Sequence, residues 1–138
     1  MGLIADRDYL KILSDQNIMA LMLTKEAASE PAAGKIACGH TVLTRIALGY
    51  EHYGDRTIRG TILQPWQYSC FNKPVDISYD EECVYLAGLI LDGLTKDPTN
   101  GATHYFNPDL VVEVPESYID CRFEKRIGRH IFYKPRWG

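Results

Sequence analysis

The chain has 138 residues and a formal net charge of −3, with 46% of its residues hydrophobic, 24% charged and 11% aromatic. That length supports one hydrophobic core, hence a single domain over residues 1–138, and the aromatic content excludes a disordered chain. No apolar run approaches the roughly 20 residues of a membrane-spanning helix, so stable membrane insertion is not expected, and the acidic balance argues against a nucleic-acid partner.

The first ten residues, MGLIADRDYL, carry charges where a secretory signal would carry its apolar stretch, so no signal peptide is expected. Tyr9, Leu10, Ile12 and Leu13 predict a short amphipathic helix that breaks near Ser14 and Asp15. Either of these can cap a second helix, Asn17 to about Ser29, whose centre is apolar all round and therefore buried. Pro31 suits the first turn of a third helix capped near Ser29 or Glu30. Its stripe runs through Ala33, Ile36, Ala37, His40, Leu43, Thr44 and Ala47, and Gly49 ends it. Gly39 leaves room for a close helix crossing. Residues 50–80, punctuated by Gly54, Gly60, Pro65 and Pro74, predict loops with short strands. Asp80 caps a fourth helix, Glu81 to about Leu94, acidic in its first turn as the helix dipole favours. From Asp97 onward come loops and short β segments: GATHYFNP, then VVEVP, then RIGRHIFYKP. Helices first and irregular β structure later is an α+β pattern.

From Arg122 onward six basic residues, Arg122, Lys125, Arg126, Arg129, Lys134 and Arg136, stand against one acid, Glu124. Such a stretch solubilises a surface strand or docks on an anionic partner. The cysteines, Cys38, Cys70, Cys83 and Cys121, form no CxxC pair and have no histidine at a zinc-site interval, so no metal is expected and free thiols are the default.

Glu26 is the first candidate for chemistry. It stands four residues after Met22 and seven after Met19, continuing an apolar face of the second helix. Desolvation there raises a carboxyl pKa, and a like charge on Glu30, one turn on, would raise it further. A carboxylic acid kept protonated at neutral pH is what a general acid for a glycosidic oxygen requires. Spacing alone also allows both glutamates to lie on the surface past the helix end.

The segment TKEAASEPAAGKIACGHTVLTRI resembles the opening motif of the SleB-type cell-wall hydrolases, in which E-A-x-x-E-P precedes a small-residue helix ending in V-x-N-R. Glu26, Ala27, Glu30, Pro31 and Arg45 match, and Thr44 stands where asparagine is usual. QPWQYS at Gln64–Ser69 is similar to the family's Q-F-S element, with Tyr68 for phenylalanine. GATHYFNP and IGRHIFYKP are similar to its G-A-x-x-Y/F-x-N-P turn and its closing G-x-H-x-F strand. The four motifs keep the family's order across residues 22–135.

The resemblance implies a compact lysozyme-like fold, a helical lobe with a small irregular β lobe, and cleavage of the β-1,4 bond after N-acetylmuramic acid in peptidoglycan. It places the catalytic glutamate on Glu26, acting as a lytic transglycosylase without a cofactor. Glu30, Asp55 and Asp76 are possible second carboxylates for a hydrolytic (muramidase) outcome. Tyr105 would hold the Glu26 carboxyl. Glu30, Gln67, Tyr68, Ser69, Thr103 and Asn107 are the other expected substrate-binding residues, with Tyr68, Phe106 and Trp66 available to stack on sugars. His40 and His130 read as structural, and Phe106 and Phe132 as possible core. Two rivals are a wall-acting cysteine amidase or peptidase using Cys38 or Cys70, and a non-catalytic wall-binding or virion domain. With no signal peptide expected, a phage endolysin is the expected setting, monomeric and held in the host cytoplasm until lysis.

Overall fold

The computed structural model describes residues 3–65, 67–110 and 121–135. In chain order the elements are β1 (Leu3–Ala5), α1 (Arg7–Leu10), α2 (Asp15–Ala27), α3 (Ala32–Leu48), α4 (Ile58–Ile62), β2 (Val75–Ile77), α5 (Glu81–Leu91), β3 (His104–Phe106), β4 (Cys121–Ile127) and β5 (His130–Pro135). Short 3₁₀ turns at Glu51–Tyr53 and Ser69–Phe71 complete the set. The α+β organisation expected from the sequence is the one observed. The VVEVP segment, Trp66 and Arg136 lie outside the described residues.

Polar side chains fix where most helices begin. Asp6 accepts from the Tyr9 N–H before α1, Ser14 from Asn17 before α2, Thr57 from Gly60 before α4 and Asp80 from Cys83 before α5. Each satisfies an amide that a helix start leaves unpaired. The exception is α3, where Pro31 occupies the cap with no side-chain hydrogen bond. The expected cap at Ser29 or Glu30 is therefore corrected, because the Glu30 carboxylate is engaged elsewhere. Gly49 ends α3 at φ +68°, with its N–H on the Arg45 carbonyl.

The core forms around α2, whose residues Ile18 to Leu23 are all fully buried. A helix apolar on every side needs neighbours on every side, and α3, α4 and α5 supply them. The buried face of α3 differs from the predicted stripe. Lys35, Cys38, Thr41, Val42 and Arg45 face inward, while Ala33 and Ala47 are exposed and His40 is half-buried against Thr95. Partners make the polar members tolerable: Lys35 Nζ lies 2.6 Å from Glu82 on α5, and the Thr41 hydroxyl donates to the Cys38 carbonyl.

Residues 50–80 also depart from expectation, since they contain α4 and two 3₁₀ turns with one short strand, β2. That strand pairs antiparallel with β1, Ala5 opposite Val75. Arg7 donates to the carbonyls of Leu63 and Phe71, and Arg59 donates to that of Leu13. These long-range ties hold a segment whose own propensities are weak. The second sheet is antiparallel in the order β3–β5–β4, with Tyr105 opposite Phe132 and an irregularity between Phe123 and Lys125.

Candidate active site

The last turn of α2 delivers Glu26 into a cleft of about 530 Å³. The α2–α3 corner forms one side of it with Lys25, Ser29 and Glu30. Gln67 and Tyr68 form another, and β3 with the following turn and the β4–β5 turn closes the third. Burial pushes the Glu26 carboxyl above its ordinary pKa. Its place at the negative end of the helix dipole acts in the same sense. No contribution from Glu30 is needed for that shift, so the expected like-charge coupling is not its cause.

Glu30 has a different task. It is only 6% exposed, and its Oε1 accepts the Arg129 backbone N–H at 2.8 Å and lies 3.4 Å from His130 Nδ1. The carboxylate thus clasps the α2–α3 corner to the β4–β5 turn. Gly128, at φ +58°, makes room for it: a Cβ there would lie 2.6 Å from Oε1. Asp55 and Asp76 line no part of the cleft. Asp55 accepts from the Thr57 amide and hydroxyl, Asp76 pairs with Lys25 at 2.9 Å and takes the Ser78 hydroxyl, and these bonds hold both carboxyls below the usual range.

Tyr105 sits half-buried at the floor of the cleft, its hydroxyl 3.9 Å from Met22 Sδ. Its ring meets that of His130 edge-on at 5.0 Å. Burial raises the Tyr105 pKa well above normal and lowers that of His130, against which Glu30 pulls upward, so both are neutral groups near pH 7. Tyr68 is buried beside the cleft, and Gln67 and Asn107 line it, Asn107 Oδ1 accepting from the Asp109 N–H. Thr103 does not line it. That residue is fully buried, with its hydroxyl 2.8 Å from His104 Nδ1 and its carbonyl accepting from Arg45. Ser69 lies in the 3₁₀ turn, and its side chain is outside the described set.

Arg45, quoted above only as a motif match, is a cleft residue in its own right. Its Nε donates to the Thr103 carbonyl at 2.7 Å, and its guanidinium lies over the rings of Tyr53 and Tyr68 at 5.6 and 5.7 Å. It thereby fixes the start of β3, and with it Tyr105. His130, expected to be structural, also lines the cleft, as do Lys25, Phe106, Leu110 and Arg129. Of the last four, Phe106 was expected there from the GATHYFNP turn and Arg129 belonged to the basic stretch, whereas Lys25 and Leu110 were not singled out by the sequence.

Burial counts against the cysteine rival. Cys38 Sγ does lie 4.0 Å from His130 Nδ1, but the thiol is fully buried and burial pushes its pKa far up. Cys70 is half-buried, with its thiol pushed up to about 12. Neither forms a thiolate near neutral pH. Among the described residues no group of three histidine, cysteine or carboxylate side chains is arranged to hold a metal.

Residues 29–133 match the family described as Cell Wall Hydrolase. The spore cortex-lytic enzyme of Halalkalibacterium halodurans is 33% identical over 121 residues, which are 86% of this chain and 34% of that protein. The chain therefore spans about a third of that relative's length. The cell wall hydrolase CwlJ of Bacillus subtilis is 27% identical over 88% of this chain and 86% of its own length. Among solved structures, the catalytic domain of the germination-specific lytic transglycosylase SleB from Bacillus anthracis superposes with a TM-score of 0.72 at 26% identity, covering 87% of this chain and 93% of that domain. The SleB catalytic domain of Bacillus cereus gives 0.70 at 26% identity, covering 87% and 89%.

Proposed function

The chain belongs to the Cell Wall Hydrolase family, and from that premise we propose that it cleaves the β-1,4 bond between N-acetylmuramic acid and N-acetylglucosamine in peptidoglycan as a lytic transglycosylase. The observation that carries this reading is the carboxyl inventory of the cleft. Glu26 and Glu30 are its carboxyl linings among the described residues, and Glu30 is spent on the β4–β5 turn. Hydrolysis ordinarily needs a second working carboxylate; closure of an internal ring does not.

In this mechanism the protonated Glu26 gives its proton to the leaving glycosidic oxygen as the C1–O bond breaks. The resulting carboxylate takes the proton of the muramic acid 6-hydroxyl while that oxygen bonds to C1, closing a 1,6-anhydro ring. Glu26 ends protonated, ready for the next cycle. Burial shifts Glu26 toward its acid form, the form that the first step consumes. Tyr105 holds the carboxyl in its working rotamer, its hydroxyl turning from Met22 Sδ to Glu26 when the glycan enters. Gln67 and Asn107 address N-acetyl and hydroxyl groups, and Phe106 offers a ring face to a sugar.

Mass spectrometry of digested peptidoglycan tests the reading. Anhydromuramyl termini are expected. Reducing muramic acid as sole product would make the protein a muramidase, and cleaved amide bonds with intact glycan would reject glycan cleavage altogether.

The relatives named above carry spore-cortex and cell-wall names, so the endolysin setting draws no support from them. It stands as a proposal of its own, of a monomer held from the wall by the host membrane. Cytoplasmic expression should be harmless until the membrane is permeabilised, and lysis without permeabilisation would refute that setting.

A further inference from the structure

Strand alternation turns Tyr105 and Phe132, which pair across β3 and β5, into the core. Phe106, Tyr133 and Phe123 consequently belong to the opposite face of the sheet, Phe123 pairing directly with Tyr133. The three rings are in contact. Phe106 stacks on Tyr133 with centroids 5.6 Å apart and planes at 12°, and Phe123 meets Tyr133 edge-on at 6.2 Å. Phe106 also lines the catalytic cleft. At the far end, on edge strand β4, Phe123 is 59% exposed. A phenylalanine that open, joined through ring contacts to a cleft, is the kind of exposed apolar feature that marks a binding surface.

We propose that this aromatic ladder is an extended saccharide-binding platform, taking the sugars of the glycan strand beyond the cleaved bond. The inference rests on the glycan-cleavage reading above. Pyranose rings present apolar C–H faces that pack on aromatic rings, and two strand spacings make the ladder about 10 Å wide, room for about a disaccharide. Arg126 is exposed on the same edge strand, and its pairing opposite Ile131 puts it on the ladder's side of the sheet. Its charge complements the carboxylates of peptide-bearing strands, whereas an uncharged polymer would have no use for it. Continuity with the cleft and this charge match both select the glycan strand as occupant.

The test compares wild type with Phe123→Ala on two substrates, long peptide-bearing glycan strands and a defined tetrasaccharide. Because Phe123 is exposed, its truncation leaves the core intact. An aromatic contact of this class corresponds to roughly threefold to tenfold in affinity. The expected result is a KM on long strands raised by that factor with kcat held, the effect fading on the tetrasaccharide. Equal KM values on long strands would overturn the platform, as would an equal loss on both substrates. Co-sedimentation with insoluble strands reads the platform separately from turnover. If wild type binds without cleaving and Phe123→Ala binds less, the platform stands and the cleavage reading falls. Equal sedimentation of the two proteins overturns the platform.

Discussion

Glu30 and Arg129, 99 residues apart in sequence, are joined by a 2.8 Å hydrogen bond from a backbone amide to a buried carboxylate. This bond makes the second glutamate of the E-A-x-x-E-P motif a part of the cleft's wall. Removing the acceptor leaves a buried charged-group hydrogen bond unmade, a loss of about 1.5–3 kcal/mol. Glu30→Ala should therefore lower the melting temperature and reduce turnover by loosening His130. Glu30→Gln keeps an oxygen for the amide and should be milder on both counts, with the alkaline limb of the pH–rate profile unmoved. Should Glu30→Gln instead be as inactive as a Glu26 variant, a two-carboxylate hydrolase would be indicated.

Glu26→Gln keeps shape and hydrogen-bonding capacity but has no proton for the leaving oxygen. General-acid catalysis is worth about 10²–10⁴-fold, and activity should fall at least that far. The same change should stabilise the fold at alkaline pH. A carboxyl whose folded pKa is raised binds its proton more tightly in the native state, so stability falls as pH rises from the unfolded to the folded pKa. Thermal melts of the two proteins should coincide near pH 4 and separate in favour of Glu26→Gln at pH 8. A folded Glu26→Gln protein with near-native turnover would remove Glu26 from the mechanism.

Arg45→Lys preserves a charge but cannot reproduce the planar donor that reaches Thr103 between two tyrosine rings. A stability loss of about 1.5–3 kcal/mol is expected. Because the lost bond anchors the strand carrying Tyr105, kcat should fall more than KM rises. A purely structural arginine would give a stability loss with kinetic constants unchanged once the protein is folded at low temperature.

Iodoacetamide at pH 8 should leave activity intact. The fully buried Cys38 should remain unmodified by intact-protein mass until the chain is denatured. Inactivation that tracks alkylation of Cys38 in the folded protein would restore a thiol mechanism.

What the sequence disclosed was local. Asp80 with the acidic turn after it, Ser14 before an apolar run and Gly49 at a helix end are short-range signals, and the elements they bound appear within a few residues of expectation. Helix α4 was missed because Ile58, Thr61 and Gly60 read as strand or loop, and only the Thr57 cap and the tie from Arg59 to Leu13 make it a helix. The inward face of α3 was misread because Lys35, Thr41 and Arg45 are polar, and burial became tolerable only through distant partners. Glu26 was legible as a cleft carboxyl because its apolar spacing and its motif agreed. Arg45 and His130 were not, since their roles depend on contacts with Thr103 and Glu30 that no spacing encodes. Thr103 was assigned to substrate by its place in a motif, one residue from the strand whose alternation decides which side chains reach the cleft.

Gly39 lies where α3 crosses α5, and a Cβ there would come within 2.6 Å of the Ile90 Cδ1 methyl, itself in a site closed to solvent. The two positions therefore share the volume of a single methyl group. Gly39→Ala alone must drive Ile90 from its rotamer, and Ile90→Val alone must leave a void. Made together, the changes move that methyl from one helix to the other at constant volume. The double variant should melt above the sum expected from its parents. The stability effects of changes at positions 39 and 90 are thus coupled through one shared methyl-sized volume.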